Sequence, residues 1–185
     1  MATKHFLTWV ENQARILRSR LALRPLAPLD PFELAKNMRV DIIRPSEIPG
    51  LRPDCLDQLL VKEFEAWSAG SLKLPSNDVV VVLNPTHPKT RERATLMEEL
   101  SHIHLGHTPT QLIIIEGGPV FRTFKKSQET EAYWVGAAAL VPKAALERAK
   151  SNDAQRQVVA RFYGVSPDLV RFRENVTGLR LKLGV

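Results

Sequence analysis

The residues best placed to do chemistry are two acids and a histidine in the run Met97-Glu98-Glu99-Leu100-Ser101-His102. On a helix, Glu98 and His102 lie one turn apart on one face, with Glu99 one step around. The spacing is that of His-Glu-x-x-His with the first histidine replaced by glutamate. In that pattern two side chains on one face bind a metal and the middle Glu activates the metal's water. A carboxylate ligates a divalent cation as an imidazole does, and two anionic ligands favour harder ions such as manganese or iron. A third ligand must come from elsewhere. Ser127-Gln128-Glu129-Thr130-Glu131 opens the next major helix, with Glu131 the natural candidate and Glu129 the alternative. Acids in a first turn also suit the helix macrodipole, so a structural role competes for both. His104 and His107 follow His102 by two and five residues, spacings that turn away from its face. They are expected in supporting or surface positions, while His5 and His87 have no partner in sequence.

The elements that must position these groups can be read from periodicity and punctuation. Phe6, Val10, Ala14, Leu17 and Leu21 repeat at helical spacing, which predicts an amphipathic helix over about Thr3–Leu23, broken by Pro25–Pro28. Asp30-Pro31-Phe32-Glu33 reads as a helix start with Asp30 as N-cap and Glu33 as capping-box acid, followed by a short helix to Asn37. Val40–Ile43 reads as a strand and Pro53 to Lys62 as a short helix. Glu65–Leu74 and Val79–Leu83 flank a Pro-Ser-Asn-Asp turn, a hairpin signal, and the valine-rich second run reads as buried. A long helix is expected from Lys89 to about Leu105, stopped by Gly106. Its Leu96, Leu100 and Ile103 on one side and Ala94, Met97 and Leu105 on the other predict burial, and buried carboxylates need a cation or strong hydrogen bonds. Leu112–Glu116 and Val120–Phe124 suggest a second hairpin. Ser127 is expected to cap a helix from Gln128 to about Leu140, closed by Pro142. Short helices follow near Lys143–Lys150, Asp153–Tyr163 and Pro167–Arg173. Helices, then strands, then helices make an α+β class.

Composition narrows the chemistry. The 185 residues contain one cysteine, Cys55, so thiolate zinc sites and internal disulfides are excluded and a reducing, cytoplasmic setting is favoured. Histidine and carboxylate remain as ligands. The net charge of +6 is uneven: residues 1–30 hold five Lys/Arg against two Asp/Glu, residues 143–185 nine against four, and the middle twelve against fourteen. Basic ends suit either solvated helix faces or a nucleic-acid surface. The apolar runs Val79–Leu83 and Leu112–Ile115 fall far short of the about 20 residues that span a membrane. No signal-peptide pattern opens the chain.

At Ala94–His102 the sequence resembles the Thr-Leu-x-His-Glu-Leu-Gly-His helix of the ImmA/IrrE-type metallo-endopeptidases. Gln128-Glu129-Thr130-Glu131-Ala132, followed by Ala137, Leu140 and Pro142, is similar to that family's second helix. Asp30–Val40 and Phe162–Ser166 resemble its opening and closing segments. The resemblance implies a zincin-like α+β domain with a short sheet, an active-site helix and a helical C-terminal part. The resemblance covers about residues 30–175, and the expected domain runs over 30–185, preceded by an amphipathic helix over 1–29 free to pack on the domain, mediate dimerisation or move. The implied setting is bacterial and cytoplasmic, and the implied partner a regulatory protein in stress or gene control. The implied cofactor is a divalent metal, zinc first and manganese or iron next. The implied roles are His102, Glu131 and, in place of the first zinc histidine, Glu98 as ligands, with Glu99 as general base.

Two other readings stay open. Loss of the first histidine suits a pseudo-peptidase that only binds a protein partner. Separately, Ala160–Val170 has the cadence of a helix-turn-helix, with Arg156, Arg161, Arg171 and Arg173 around it, which suits DNA binding. Asp168 at the start of its second helix would repel phosphate.

Overall fold

A computed structural model of the chain describes residues 3–73, 78–108, 111–114 and 120–182. The first helix, α1 (Lys4–Ser19), is capped by Thr3, whose hydroxyl accepts from the Phe6 N–H, and buries Val10, Ala14 and Leu17. It ends one turn before Leu23 because the chain doubles back over Arg18. That guanidinium donates to the carbonyls of Arg24, Pro25 and Ala27, and Ala22 takes a left-handed φ of 49°. In α2 (Pro31–Asn37) Asp30 caps the Phe32 N–H at 3.0 Å as expected. Glu33 pairs with Lys36 instead of closing a capping box.

Three strands form one sheet: β1 (Val40–Ile43), β2 (Ala69–Lys73) and β3 (Val79–Leu83), in the order β1-β3-β2. β3 pairs parallel with β1 and antiparallel with β2, with Lys73 opposite Val79. The β-branched run is therefore central, and Val80 to Leu83 are buried. The expected hairpin is present in its strands; its turn, 74–77, lies outside the described residues. Between β1 and β2 come α3 (Pro53–Asp57) and a π-helical turn, Gln58–Lys62, so the single helix expected there is split. A separate antiparallel pair, β4 (Gln111–Ile114) and β5 (Val120–Thr123), matches the second expected hairpin, whose Gly117-Gly118 turn is also outside the described residues.

The long helix is α4 (Lys89–His104), and α5 runs from Lys126 to Leu140. α5 starts earlier than a Ser127 cap would allow, because the Lys125 N–H finds its acceptor in the Gln128 side chain. Three helices close the chain: α6 (Lys143–Ser151), α7 (Arg156–Tyr163) and α8 (Pro167–Thr177). α7 begins later than expected because Asp153 turns left-handed and Gln155 bridges to Lys182. α8 runs on to Gly178, whose φ of 73° ends it.

One apolar core joins these pieces. Leu17 of α1, Leu34 of α2, Val81 of β3, Leu96 and Leu100 of α4, Val135 of α5 and Val170 of α8 all belong to it. The N-terminal helix therefore packs on the rest of the domain. The architecture is α+β, and among the described residues no helix is long and apolar enough to cross a membrane.

The crossing of α4 and α5 matters most for chemistry. A Cβ on Gly136 would stand 3.2 Å from the Met97 carbonyl and 3.3 Å from Ser101 Oγ. Ser101 is fully buried and returns its hydroxyl to Met97 O at 2.7 Å. Only small residues at both positions let the backbones approach this closely, which brings the acids of α5 to the His102 face.

Candidate metal centre

The ligating atoms of Glu98, His102 and Glu129 all lie within 4.8 Å of one another. Two come from α4, one turn apart, and the third from the first turn of α5. His102 is 3% exposed, with Nε2 3.3 Å from Glu129 Oε2. Its ring stacks on Phe124 at 3.8 Å between centroids. Glu131 is placed elsewhere: its Oε2 is 3.2 Å from His107 Nε2. Of the two acids weighed for the third position, Glu129 joins the cluster and Glu131 stands one histidine away.

His107 takes the supporting position that was one of the two expected for it, by a route that its spacing did not indicate. Helical periodicity carries it away from His102 only if the helix continues, and α4 stops at His104. Gly106 adopts φ 65°, its N–H bonds Ile103 O, and the His107 N–H bonds His102 O at 3.0 Å. This is a Schellman turn, and it folds His107 back over the last helical turn. Its Nδ1 then lies 2.9 Å from His102 Nδ1. The glycine already read as a stop was the available signal.

The electrostatics are those of a site short of positive charge. Burial, then the charges of Glu129 and Glu99, push the Glu98 carboxyl up to about 8. Burial pushes Glu99 up to about 7, with Glu129 adding and a Ser71 hydrogen bond opposing. Burial also raises Glu129, against a backbone hydrogen bond from Phe124 and the nearby His107. Burial and then His107 hold His102 down at about 3, so the ring is neutral. Glu99 Oε2 is buried without a hydrogen-bond partner. Among the described residues no Lys or Arg forms an ion pair with Glu98, Glu99 or Glu129. Crowded, desolvated carboxylates beside a neutral imidazole fit a divalent cation, which would relieve each upward shift. An all-N/O set with two carboxylates suits borderline and hard ions.

His104 and His87 serve the scaffold. His104 Nε2 is 3.0 Å from Gln13 of α1, and His87 Nε2 is 2.9 Å from Trp67 O.

Fold and site together define a small α+β domain in which a Glu-Glu-x-x-His helix crosses an acid-bearing helix beside a short sheet. The IrrE N-terminal-like domain model (peptidase M78) matches residues 59–175, and the chain belongs to that family. A solved Mycobacterium tuberculosis transcriptional regulator has the same fold, with a TM-score of 0.52 and 13% identity. The match covers 90% of this chain and 46% of that one, so this chain spans about half the regulator's length. No curated protein matches.

Proposed function

We propose that Glu98, His102 and Glu129 hold a divalent cation and that the chain hydrolyses a peptide bond in a regulatory protein. The observation that carries this reading is the convergence of three ligating groups within 4.8 Å, where among the described residues no Lys or Arg pairs with them. When bound, the ion supplies Lewis acidity toward a carbonyl oxygen. Glu99 is the proton-handling group: it neighbours the cluster, one oxygen is unpartnered, and its raised affinity places proton exchange near neutrality. Ser71 on β2 fixes the carboxyl through its hydrogen bond. Tyr133, one turn along α5 from Glu129, stands near enough to feel the Glu98 charge and offers a phenolic donor on that side. The family resemblance supports a regulatory protein as substrate, and zinc ahead of manganese or iron.

Elemental analysis and calorimetric titration with zinc, manganese and ferrous iron test the reading. One ion per chain is expected, lost in His102→Ala and Glu129→Ala but not in Glu99→Gln, which abolishes hydrolysis alone. A chain that stays metal-free after all three reconstitutions overturns it. Glu98 in place of the expected histidine favours a second reading, a protein-binding pseudo-peptidase. Glu98→His separates the two: gain of zinc binding and proteolysis marks a peptidase scaffold with altered ligation. DNA binding has less support. Three of the four arginines expected to serve it are engaged within the domain: Arg156 with Glu174, Arg173 with Glu11 and Arg171 with Asp168.

A further inference from the structure

In their neutral forms His102 and His107 carry four ring nitrogens and two protons, and a 2.9 Å contact joins their Nδ1 atoms. That contact holds one proton. Two would clash and none would leave two lone pairs opposed. Only two arrangements satisfy it. In the first, His102 donates from Nδ1 to His107, His107 donates from Nε2 to Glu131, and the His102 Nε2 lone pair faces Glu98 and Glu129. In the second, His102 donates from Nε2 to Glu129, His107 donates from Nδ1 to His102, and the bare His107 Nε2 faces the Glu131 carboxylate.

The end contacts are nearly equal, 3.3 Å to Glu129 and 3.2 Å to Glu131. The rings are also locked. Stacking on Phe124 holds His102, and the Schellman turn holds the backbone of His107. The two carboxylates are thus rival acceptors at opposite ends of one hydrogen-bond chain.

We propose that Glu131, acting through His107, is the positioning residue that turns the His102 Nε2 lone pair toward the Glu98–Glu129 cluster, against a competing pull from Glu129. Its consequence for metal affinity rests on the reading above; the proton arrangement does not. An outer-shell acceptor of this kind sets ring orientation and ligand basicity, and its loss costs roughly ten- to a hundredfold in metal affinity.

Long-range proton–nitrogen NMR of the imidazoles tests this in the metal-free protein. Glu131 and Glu129 are 37% and 45% exposed, so Glu131→Gln and Glu129→Gln change charge without opening the core. Glu131→Gln is expected to move His102 toward its Nε2–H form and His107 toward its Nδ1–H form together; Glu129→Gln moves both the other way. Zinc alone, added to the unsubstituted protein, should drive the pair fully to the first arrangement, and Glu131→Gln should weaken zinc about tenfold. Rings that do not move, or move independently, overturn the proposal even if zinc binds. Concerted movement without zinc binding supports the proton relay and removes the metal reading instead.

Discussion

The two ends of α5 treat buried charge in opposite ways. At its C-terminal end, where helical carbonyls lack partners, two arginines supply donors. Arg18 donates to Ala139 O at 2.8 Å and Arg173 to Val141 O at 2.9 Å. Arg173 also pairs with Glu11, while Glu174, fully buried, takes two donors from Arg156 and the Leu181 N–H. At its N-terminal end, Glu129 meets Glu98, Glu99 and a neutral His102, and among the described residues no Lys or Arg pairs with them. Matched charge in the same core is a structural device. Carboxylates left without a matching side chain stay buried either by holding protons, as the raised Glu98 and Glu99 do, or by meeting a cation from outside the polypeptide.

The matched end should give the largest effect when broken. Arg173→Ala leaves Glu11 and the Val141 carbonyl without their donor in a place where the guanidinium is 1% exposed. Removing one partner of a buried pair costs about 3–5 kcal/mol. Urea unfolding of the metal-free protein should show that loss at unchanged m-value; a change below about 1 kcal/mol would mean that water takes over from the arginine.

The unmatched end should show itself through pH, with a smaller effect. Glu98 and Glu99 take up protons more readily folded than unfolded, so they lose stability as pH rises from their ordinary carboxyl range toward about 8 and about 7. His102 works the other way: held down at about 3, it gains stability as pH rises to its ordinary value of 6.5 and is level beyond it. The two trends oppose each other below 6.5, and above it the carboxylate loss stands alone. At about 1.4 kcal/mol per unit per proton, the metal-free protein should weaken by about 2 kcal/mol between pH 6.5 and 8. Glu98→Gln should remove most of that slope and raise stability at pH 8, and saturating zinc should flatten it. A flat profile without metal would show that Glu98 is solvated in solution.

Local spacing carried much of this into view. Glu98 and His102 share a face by helical period alone, Asp30 announces its helix, and the valine run marks the central strand. The choice between Glu129 and Glu131 was not settled by their own types, since both are glutamates near the start of one helix. It turns on which face of α5 meets α4. Glu129, Ala132 and Gly136 lie three and seven residues apart on one side, and the small residues there mark the close crossing. His107 was hidden by applying a helical rule past the helix's end. Arg173 and Arg156 of the tail looked free because their partners are distant: Glu11 is 162 residues from Arg173 and Glu174 is 18 from Arg156. No local pattern announces a pair of that separation.

The smallest expected effect is also the one that decides whether the two ends are independent. Glu129 and Val141 are twelve residues apart on one helix, about 18 Å along its axis, and they share no partner. Sites so separated combine additively within about 0.5 kcal/mol. Arg173→Ala lowers stability and Glu98→Gln raises it at pH 8, so the double variant should fall at their sum. A deviation above about 1 kcal/mol would mean that α5 shifts as a rigid lever over its contact with Met97 and Ser101, carrying Glu129 with it. Independence is the expected result because the Gly136 crossing, packed between backbone and a buried serine, holds the middle of the helix in place while either end is altered.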